Sequence, residues 1–530
     1  MSVRTPRRAL WAAAALAVCL ALLLGAAFYA QNDNSSAADP ARLQIGAAIA
    51  APASGRPAAH VAYAGSRRLI GRTLLRADVR STGQRIVAVT FLLDGRPLGT
   101  DTSEPYALDV DASLLPAGRH RLRVVAVDRL GARSAARAVT VHTGGSRRHI
   151  LQASPRRGLA AARAALARGH VTVLLGPGRY AVPRVELGSG ARLVGTGRRT
   201  VLAATSAAWS LVTVHGQGVR ISDLVIDGAG RAERAIGVAD GSHDVRLQRL
   251  YIRGIRETGV ETWGAHSSIS VQDSVITGGG AEGAGVFDLG SDATQGTSVI
   301  RSSITGFRAY GINFAQRAYD RPRAALYALA LDNRIRDIND PAVDNGTREG
   351  AIWSGGVAAA IIGNRIRDTG WDGIQTVGSS RGVTVVDNDI ARTRTGIYLE
   401  HETTGSLFAH NVIADVTTGL NVEWRYGGAG SAENTFEDNT IVRPTETGIF
   451  VDVEGDRNRV AGNVIEGGNG PAIVLQGSSD NVVVDNRACD RPDEHVVVQQ
   501  SSDLDNGRAA QPLRNRIEDN DSVPACPPRQ

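Results

Sequence analysis

Short apolar runs recur at a nearly constant spacing between residues 235 and 476. Each run begins with Gly or Ala followed by Ile, Val or Leu, and it ends three residues later. The runs start at Gly259, Gly285, Gly311, Ala351, Gly373, Gly396, Gly419, Gly448 and Ala472. A second phrase, Asn followed by x and Ile or Val (or a near variant), occurs at Asn333, Asn364, Asn388, Asn411, Asn439, Asn463 and Asn486. Successive asparagines are therefore 31, 24, 23, 28, 24 and 23 residues apart.

This periodicity predicts an all-β fold in which short strands stack as the coils of a parallel β-helix solenoid. The strands are too short, and glycine is too frequent, for a helical repeat. Each coil must bury its apolar side chains against the coils above and below it, about 4.8 Å away. We expect the repeated asparagine to be structural, because Asn tolerates a left-handed turn and its amide can bond the next coil.

The chain begins with a charge-free segment, Ala9 to Ala30, that follows Arg4, Arg7 and Arg8. Residues 1–30 are therefore predicted to be a signal peptide or an uncleaved membrane anchor. Residues 31–59 are rich in Ala, Ser, Asn and Pro and are predicted to be a linker. We expect a secreted or extracytoplasmic protein, tethered to the membrane through the N-terminal segment if that segment is retained.

Residues 60–143 alternate between apolar and polar positions, and Asp94-Gly95 indicates a hairpin. Together with Gly99, Asp101, Pro105-Tyr106 and Ala126-x-Asp128, this stretch resembles bacterial immunoglobulin-like modules. The resemblance implies a small β-sandwich that acts as a spacer.

A helix is predicted next, with Ser154 as its N-cap, Pro155 in its first turn and Gly169 just beyond its end. The phrases Gly176-Pro-Gly-Arg-Tyr180 and Leu193-Val-Gly-Thr-Gly197 follow it. This succession resembles the N-terminal cap of the pectin-lyase-like superfamily, which implies a right-handed parallel β-helix over residues 150–500 and leaves a tail at 501–530. That superfamily contains lyases, hydrolases, epimerases and non-enzymes, so the resemblance leaves the activity open.

The net charge of +6 is mild, and no dense basic run interleaved with aromatics indicates a nucleic-acid partner. Apart from Cys19 in the N-terminal segment, the chain contains Cys489 and Cys526. Because an exported chain meets an oxidising compartment, we expect these two cysteines to form a disulfide. We also expect a monomer that contacts the membrane only through its N-terminal segment.

Placing the coils in register assigns the residues after each Gly-Ile pair to alternating faces of a strand. One outward column contains Glu261, Phe287, Asn313, Trp353, Gln375, Tyr398, Asn421 and Phe450. A second contains Trp263, Leu289, Ala315, Gly355, Val377, Glu400, Glu423 and Asp452. The inward column between them is mostly apolar, as a core requires.

Trp353, Tyr398 and Phe450 in one outward strip suggest flat stacking platforms for sugar rings. Beside them, Glu400 and Glu423 with Asp452 would lie about 5 Å apart per coil, so a pKa must rise or a cation must lie between them. The sequence requires no cofactor, and it leaves calcium open among these carboxylates. A solvated acidic face is the alternative for each acid taken alone.

Three insertions, near residues 315–323, 340–348 and 424–431, border this strip and are predicted to wall a groove. We predict that the groove binds substrate through the polar and aromatic residues Trp353, Asp372, Gln375, Asn421, Arg425 and Phe450.

The phrase Tyr398-Leu-Glu-His-Glu402 resembles the Asp-Pro-His-Glu region of alginate C5-epimerases, with Glu400 in place of the Asp and no Pro. The resemblance implies Tyr398 or His401 as the base that removes the proton next to a uronate carboxylate. The predicted catalytic residues are therefore Tyr398, Glu400, His401, Glu423 and Asp452.

These observations predict an exported carbohydrate-active protein that acts on a polysaccharide. A lyase or C5-epimerase acting on uronates and a glycoside hydrolase using the carboxylates are both open. The alternative is a non-catalytic surface protein that binds cell-envelope glycan or has a structural role.

Overall fold

The structure is a computed structural model. It describes residues 59–81, 83–145, 147, 150–156, 159–279, 283–290, 296–316, 328–339, 349–423, 430–491, 496–503 and 509–526. The predicted signal peptide or anchor and all of the predicted linker except Ala59 lie outside these residues. Within the described part of the chain, no helix has the length and apolar character needed to cross a bilayer.

The first domain is a sandwich of two β-sheets. Its strands are β1 (Ala59–Tyr63), β2 (Arg68–Ile70), β3 (Arg72–Ser81), β4 (Ile86–Leu93), β5 (Arg96–Asp101), β6 (Ala107–Asp111), β7 (Gly118–Asp128), β8 (Arg133–Ala135) and β9 (Val139–Gly144), with a 3-10 turn at Ala112–Leu114. One sheet has the order β1-β3-β6, and the other has the order β2-β9-β7-β4-β5 with β8 beside β7. The predicted hairpin joins β4 to β5, where Asp94 and Gly95 both have positive φ, as a two-residue hairpin turn requires. Phe91 and Leu122 lie fully buried between the sheets.

The rest of the described chain winds into coils of three short strands. The first coils contain β10 (Ile150–Ala153), α1 (Ala160–Arg168), β11 (Thr172–Leu175), β12 (Gly178–Val182), β13 (Val185–Leu187), β14 (Arg192–Val194), β15 (Thr200–Ala204), β16 (Ala208–Val214), β17 (Arg220–Ser222), β18 (Val225–Asp227), β19 (Ala232–Val238), β20 (His243–Gln248), β21 (Tyr251–Arg253) and β22 (Thr258–Gly264). The middle coils contain β23 (Ser267–Gln272), β24 (Val275–Thr277), β25 (Ala284–Gly290), β26 (Thr297–Ile300), β27 (Ser303–Thr305), β28 (Tyr310–Gln316), β29 (Ala328–Leu331), β30 (Arg334–Ile338), β31 (Ile352–Gly355), β32 (Ala359–Ile362), β33 (Arg365–Thr369), β34 (Asp372–Val377), β35 (Thr384–Val386), β36 (Asp389–Ala391) and β37 (Thr395–Glu400).

The last coils contain β38 (Leu407–Ala409), β39 (Val412–Ala414), β40 (Thr418–Glu423), β41 (Thr435–Glu437), β42 (Thr440–Val442), β43 (Thr447–Val451), β44 (Arg459–Ala461), β45 (Val464–Glu466), β46 (Ile473–Gln476), β47 (Val482–Val484), β48 (Arg487–Cys489), β49 (Val497–Gln500), β50 (Ser502–Asp503), β51 (Ala509–Ala510), β52 (Arg516–Glu518) and β53 (Asp521–Val523). The coils thus continue beyond residue 500, where the sequence predicted a tail, because β52 and β53 pair in parallel with β47 and β48.

Three parallel sheets run the length of this solenoid. In the described residues, sheet 1 begins β10-β11-β14 and has 15 strands, sheet 2 begins β12-β15-β18 and has 14, and sheet 3 begins β13-β16-β19 and has 13. The predicted right-handed parallel β-helix, preceded by an immunoglobulin-like sandwich, is confirmed. The residue after each Gly or Ala of the repeated phrase is fully buried: Val260, Val286, Ile312, Ile352, Ile374, Ile397, Leu420, Ile449 and Ile473.

The repeated asparagines form a continuous hydrogen-bonded ladder between coils. The Asn388 amide donates to Ile361 O at 2.9 Å and to Asn411 Oδ1 at 3.0 Å, and Asn411 repeats the pattern toward Asn439. The predicted structural role is therefore confirmed. The left-handed position is the preceding residue, as at Asp387, rather than the asparagine itself.

Helix α1 covers the first coil, although it begins later than predicted. It starts at Ala160, and its N-cap position is Leu159, without a side-chain cap. Ser154 and Pro155 lie before it, so the prediction that they start the helix is wrong. Gly169 ends the helix as predicted, with φ of 84°, and its N–H reaches the carbonyls of Ala165 and Leu166.

The predicted disulfide is present at the other end of the solenoid. Cys489 on β48 is bonded to Cys526, with 5.1 Å between the Cα atoms. The bond fastens the residues that follow β53 to the penultimate rung of sheet 2.

The immunoglobulin-like domain contacts the outer face of sheet 1, and its role as a spacer stays a prediction. The Gln272 side chain accepts from Thr100 N at 2.9 Å and donates to Thr100 O at 2.7 Å. Further along the sheet, Arg129 donates to Thr384 Oγ1 at 2.7 Å, and Arg133 pairs with Asp332 at 2.6 Å. The domain therefore spans several coils of the sheet.

Candidate active site

The outer face of sheet 3 carries the predicted columns in the predicted register. Consecutive partners run from Glu261 through Phe287, Asn313, Trp353, Gln375, Tyr398 and Asn421 to Phe450. In the second column, Glu400 is the register partner of Glu423. The register shows no shift by one residue, which would have exchanged the faces.

These columns are less exposed than the sequence suggested. Gln375 and Tyr398 are both 4% exposed, and Trp353 and Phe450 are half-buried. The expectation that Tyr398 lies on an open surface is therefore wrong, because its side chain is almost completely buried. The same packing means that Tyr398 contributes to stability as well as to the shape of the face.

The predicted carboxylate ladder is held by separate local contacts. Glu423 accepts from the Asn421 amide at 3.4 Å, and Asp452 accepts from the Gln476 amide at 3.4 Å. Glu400 lies 3.2 Å from the Nε2 atom of His401, which has a positive φ and begins the turn after β37. The structure thus places Glu400 and His401 together.

A different group of three acids, near the start of β34 and on the neighbouring coils, interacts electrostatically. Asp372 begins β34 and is 6% exposed, and Glu349 lies half-buried just before the strand on the preceding coil. Burial, together with the charges of Glu349 and Glu400, raises the pKa of Asp372 to about 7, although Thr395 and Arg394 oppose the rise. Burial and Glu400 likewise raise the pKa of Glu349. Glu349, Asp372 and Glu400 together are called the acid cluster below.

Aromatic side chains pack beside the acid cluster. The Tyr310 hydroxyl hydrogen-bonds the Glu349 carboxyl. Tyr310 also lies between two rings, with its centroid 5.9 Å from that of Phe287 and 6.2 Å from that of Trp353. Three aromatic rings from consecutive coils therefore lie in a row, and the middle ring, Tyr310, contacts the acid cluster through Glu349.

Backbone and side-chain contacts fix the positions of Glu349 and Asp372. The Gln375 side chain accepts from Gly350 N at 3.0 Å, which holds the chain next to Glu349 against β34. On the following coil, the Arg394 guanidinium lies 4.5 Å from the ring centroid of Trp371. Gln375 thus positions Glu349 through its hydrogen bond to the backbone of Gly350.

A second cleft opens nearer the N-terminal end of sheet 3. Its volume is about 690 Å³, and Trp209 on β16 and Trp263 on β22 form two of its walls. Trp209 is 56% exposed, and the Arg234 guanidinium lies 3.7 Å from its ring centroid. Ser210 lines the cleft and is 3% exposed, and its hydroxyl has no hydrogen-bond partner among the described residues. The cleft therefore combines flat aromatic faces with a hydroxyl that forms no hydrogen bond to the described residues.

Sequence reasoning missed Glu349, Tyr310 and the Trp209 cleft. Only positions after each Gly-Ile pair were compared, whereas Glu349 lies two residues before Ala351 and Asp372 lies directly before Gly373. Comparing those earlier positions between coils would have shown acids there, next to threonines at Thr395, Thr418 and Thr447. The burial that raises the pKa of Asp372 cannot be recognised from the sequence.

The remaining predicted contacts lie outside the described residues. Arg425 falls in residues 424–429, and the other two insertions fall largely in residues 317–327 and 340–348. The proposal that they wall a groove stays a prediction.

The fold defines the class of protein: an immunoglobulin-like domain docked on a parallel β-helix. A bacterial immunoglobulin domain model matches residues 62–124, and the model of the periplasmic copper-binding protein NosD matches residues 331–521. Comparison with curated proteins finds no significant match.

Several solved structures share the architecture at low identity. The family 28 exopolygalacturonase of Yersinia enterocolitica is 12% identical, with a TM-score of 0.48, and the alignment covers 88% of this chain and 100% of that one. The A-module of a mannuronan C-5 epimerase from Azotobacter vinelandii is 16% identical, with a TM-score of 0.42, over 70% of this chain and 95% of that one. A GH87 alpha-1,3-glucanase from Streptomyces thermodiastaticus is 12% identical, with a TM-score of 0.40, over 83% of this chain and 85% of that one. None of these similarities bears on activity.

The described residues do not fit a copper site. Among them, the one group of three potential ligands within 4.8 Å of one another is Glu466, Asp490 and Cys526. Copper favours imidazole and soft sulfur ligands. The Cys526 sulfur is bonded to Cys489 and supplies no thiolate, so this group offers two hard carboxylates.

Proposed function

We propose that the protein is an extracytoplasmic polysaccharide-degrading enzyme, and specifically a glycoside hydrolase that works on the outer face of sheet 3. The observation that carries the proposal is the acid cluster, in which one carboxyl group keeps its proton near neutral pH beside two others. Glycoside hydrolysis requires this division, since one carboxylic acid protonates the leaving oxygen and an ionised partner supplies the base or nucleophile.

Asp372 is the proposed general acid. Its pKa of about 7 leaves a large fraction protonated at neutral pH, so it can donate a proton to a glycosidic oxygen. Glu400 is the proposed base or nucleophile, because its charge raises the pKa of Asp372 and its side chain is half-buried. Glu349 adds negative charge that keeps the Asp372 proton in place, and Tyr310 orients the Glu349 carboxyl.

Substrate binding is proposed to use the aromatic rings along sheet 3. Sugar rings stack on flat apolar faces, and Trp353 and Phe287 offer such faces beside the acids. The Trp209 cleft lies on the same sheet, six rungs before β34, which corresponds to about 29 Å. An extended glycan that follows the sheet would reach both places.

Elimination from uronates is the competing reaction. It needs Tyr398 or His401 as the base and a cation or arginine opposite the substrate carboxylate. The acid cluster would repel a uronate carboxylate, which favours hydrolysis over elimination. Catalytic roles for Tyr398, His401, Glu423 and Asp452 remain predictions.

The deciding experiment measures the products released from a panel of acidic and neutral polysaccharides. A hydrolase yields saturated reducing ends, whereas a lyase yields an unsaturated product that absorbs in the ultraviolet. We expect Asp372→Asn and Glu400→Gln to lose at least about 100-fold in kcat, the range for removing a general acid. Glu446→Gln is the matched control, because Glu446 occupies the position of Glu349 in a later coil and is exposed.

The second candidate is a glycan-binding protein without catalytic activity, which the Trp209 cleft favours because two tryptophan side chains line it about 29 Å from Asp372. Saturable binding of a polysaccharide without product release, unchanged in Asp372→Asn, would establish this function and dismiss hydrolysis.

A further inference from the structure

The face of sheet 1 under the immunoglobulin-like domain carries three arginines in one column. Arg192, Arg220 and Arg246 are register partners on strands β14, β17 and β20. Their backbones are therefore about 4.8 Å apart per step. Like charges at this spacing repel one another, so the column needs anionic partners nearby. The next register partner is Ser270, so the basic column ends with Arg246.

A cleft of about 570 Å³ separates this column from the immunoglobulin-like domain. Its apolar wall comes from that domain, through residues that include Leu98, Val110 and Leu115. The charged residues of its lining are five arginines and three aspartates: Arg147, Arg192, Arg220, Arg246, Arg249, Asp109, Asp111 and Asp223. Five positive charges against three negative charges leave the lining with an excess of two positive charges.

The arginines of the column are unequally paired. Arg192 forms an ion pair with Asp109, and Arg220 donates to both oxygens of Asp244 at 2.7 and 2.8 Å. Arg246 forms no ion pair with any described residue. Burial, reinforced by the charge of Arg220, lowers the pKa of Arg246 to about 9. Its charge is therefore poorly compensated in the protein alone.

Three carboxylates, Asp244, Asp101 and Asp109, act on Arg246 electrostatically, and each is already engaged: Asp244 with Arg220, Asp109 with Arg192, and Asp101 with backbone groups. Asp101 accepts from Ala107 N at 2.6 Å and from Ser103 N at 3.2 Å, which holds it in the turn after β5. Asp101 influences Arg246 electrostatically but forms no ion pair with it.

The Nε–H groups of the column add a second, independent observation. The Nε atoms of Arg192, Arg220 and Arg246 are all buried and have no hydrogen-bond partner among the described residues. Buried polar groups of native proteins are nearly always bonded, and three unsatisfied donors in one column indicate a missing acceptor. Guanidinium N–H groups match the oxygens of phosphate and sulfate geometrically, and such bonds are charge-assisted.

We propose that this interdomain cleft is an oxyanion-binding site, in which Arg220 and Arg246 bind a phosphate or sulfate group. The bound group neutralises the arginine column and strengthens the contact between the immunoglobulin-like domain and the β-helix. The site is separate from the acid cluster, because it lies on sheet 1 and not on sheet 3, and it does not depend on the proposed hydrolase activity.

The test is isothermal titration calorimetry of the secreted protein with inorganic phosphate and with sulfate, at constant ionic strength in a chloride buffer. The variants are Arg246→Gln, which removes the charge, and Arg246→Lys, which keeps it without the fork of donors. The control is Arg365→Gln, because Arg365 lies on sheet 2 and its side chain is 63% exposed. Thermal unfolding of each protein with and without phosphate gives a second readout.

We expect saturable binding to the unaltered protein and to Arg365→Gln. Binding should weaken at least about 10-fold in Arg246→Gln and less in Arg246→Lys, since a charge-assisted hydrogen bond is lost. Without phosphate, Arg246→Gln should unfold at the same temperature as the unaltered protein or higher, because an uncompensated charge is gone. Of these two proteins, only the unaltered one should unfold at a higher temperature when phosphate is added.

Two results would overturn the proposal. One is the absence of saturable binding of both phosphate and sulfate to the unaltered protein. The other is an equal effect of phosphate on the unaltered protein and on Arg246→Gln, which would mark a general salt effect. If Arg246→Gln does not fold, Arg246→Lys decides the outcome in the same way.

A further arm identifies the source of the anion. Glucose 6-phosphate is compared with inorganic phosphate, since a sugar ester carries the same group on a larger molecule. Tighter binding of the ester assigns the cleft to a phosphorylated ligand that extends out of it. Tighter binding of the free ion assigns it to an ion that only fastens the two domains.

Discussion

At the scale of single residues, Asp372 shows how burial prepares a group for chemistry at a cost in stability. Its folded pKa of about 7 lies above the value of about 3.9 for an unfolded aspartate. The folded state therefore binds the proton more tightly than the unfolded state does. The contribution to stability is fully present below pH 4, and it is lost as the pH rises to about 7.

We predict that Asp372→Asn increases the free energy of unfolding above pH 7 by up to about 4 kcal/mol, and changes it little near pH 4. The same variant should lose activity at every pH. Urea unfolding at pH 4 and pH 8, paired with initial rates, measures both effects. A variant that is less stable than the unaltered protein at pH 8 would show that Asp372 is ionised and bonded there.

Hydrolysis by the unaltered protein should also decline as the pH rises through about 7, because the acid loses its proton. A requirement for calcium, which the sequence left open, would give a different pH dependence of the rate, since a bound cation requires ionised carboxylates. Rates measured with and without a chelator distinguish the two. We expect the chelator to leave the rate unchanged.

His266 is a buried titratable residue in the interior of the solenoid. Its Nε2 atom lies 2.8 Å from Asp288, and both side chains are completely buried. Burial alone would lower the pKa of His266, but the hydrogen bond and the charge of Asp288 outweigh it and raise that pKa. The pair is therefore an ionic contact inside the solenoid, where Thr262 donates to Asp288 at 2.9 Å.

Because the folded pKa of His266 is raised, its contribution to stability is complete below about pH 6.5 and is lost as the pH rises through the folded value. We predict that His266→Gln removes this dependence, so that the difference in free energy of unfolding from the unaltered protein is larger at pH 6 than at pH 9. Denaturant unfolding at the two pH values tests this. An equal difference at both would mean that the histidine stays neutral.

At the scale of elements, the asparagine ladder accounts for the accuracy of the fold prediction. Because the same turn repeats from coil to coil, the same residue type recurs at a nearly constant spacing, and this repeat can be recognised in the sequence. The carboxyl groups of the acid cluster come from unlike positions in three coils. No repeat marks them, and their mutual influence depends on how the three coils stack.

We predict that Asn411→Ala destabilises the protein by about 2–4 kcal/mol, because it removes two bonds donated at 3.0 and 2.9 Å and leaves buried partners unsatisfied. Asn520→Ala is the matched control at the end of the same ladder. Asn520 is half-buried, so water can replace its bonds, and the loss should be below about 1 kcal/mol. If both variants lost the same free energy of unfolding in chemical denaturation, an interior asparagine would stabilise the ladder no more than the asparagine at its end.

Ser154 illustrates why one local pattern misled. Serine followed by proline is a common helix start, but the chain continues from β10 through a turn there, and the helix begins where Leu159 enters the core. Tertiary burial of Leu159 and Leu166 decided the boundary. The correct C-terminal signal, Gly169, depends only on local backbone geometry.

At the scale of the whole molecule, sheet 3 places the Trp209 cleft and the acid cluster on one continuous face. The two are separated by six rungs, about 29 Å, so a short oligosaccharide bound at the acids does not reach Trp209. The solenoid can therefore add binding energy far from the reacting bond without altering the reaction itself. Substrate length becomes the variable that separates the two regions.

We predict that Trp209→Ala raises KM for long polysaccharides and leaves kcat unchanged, because it removes a contact made equally in the ground state and the transition state. For short oligosaccharides it should change neither constant. Trp353→Ala is the matched comparison, since Trp353 packs against Tyr310 beside the acid cluster and should impair substrates of every length. Steady-state rates on a size series of one glycan provide the measurement. If Trp209→Ala impaired short and long substrates equally, the effect would reach the acids through the fold, and the extended binding face would be wrong.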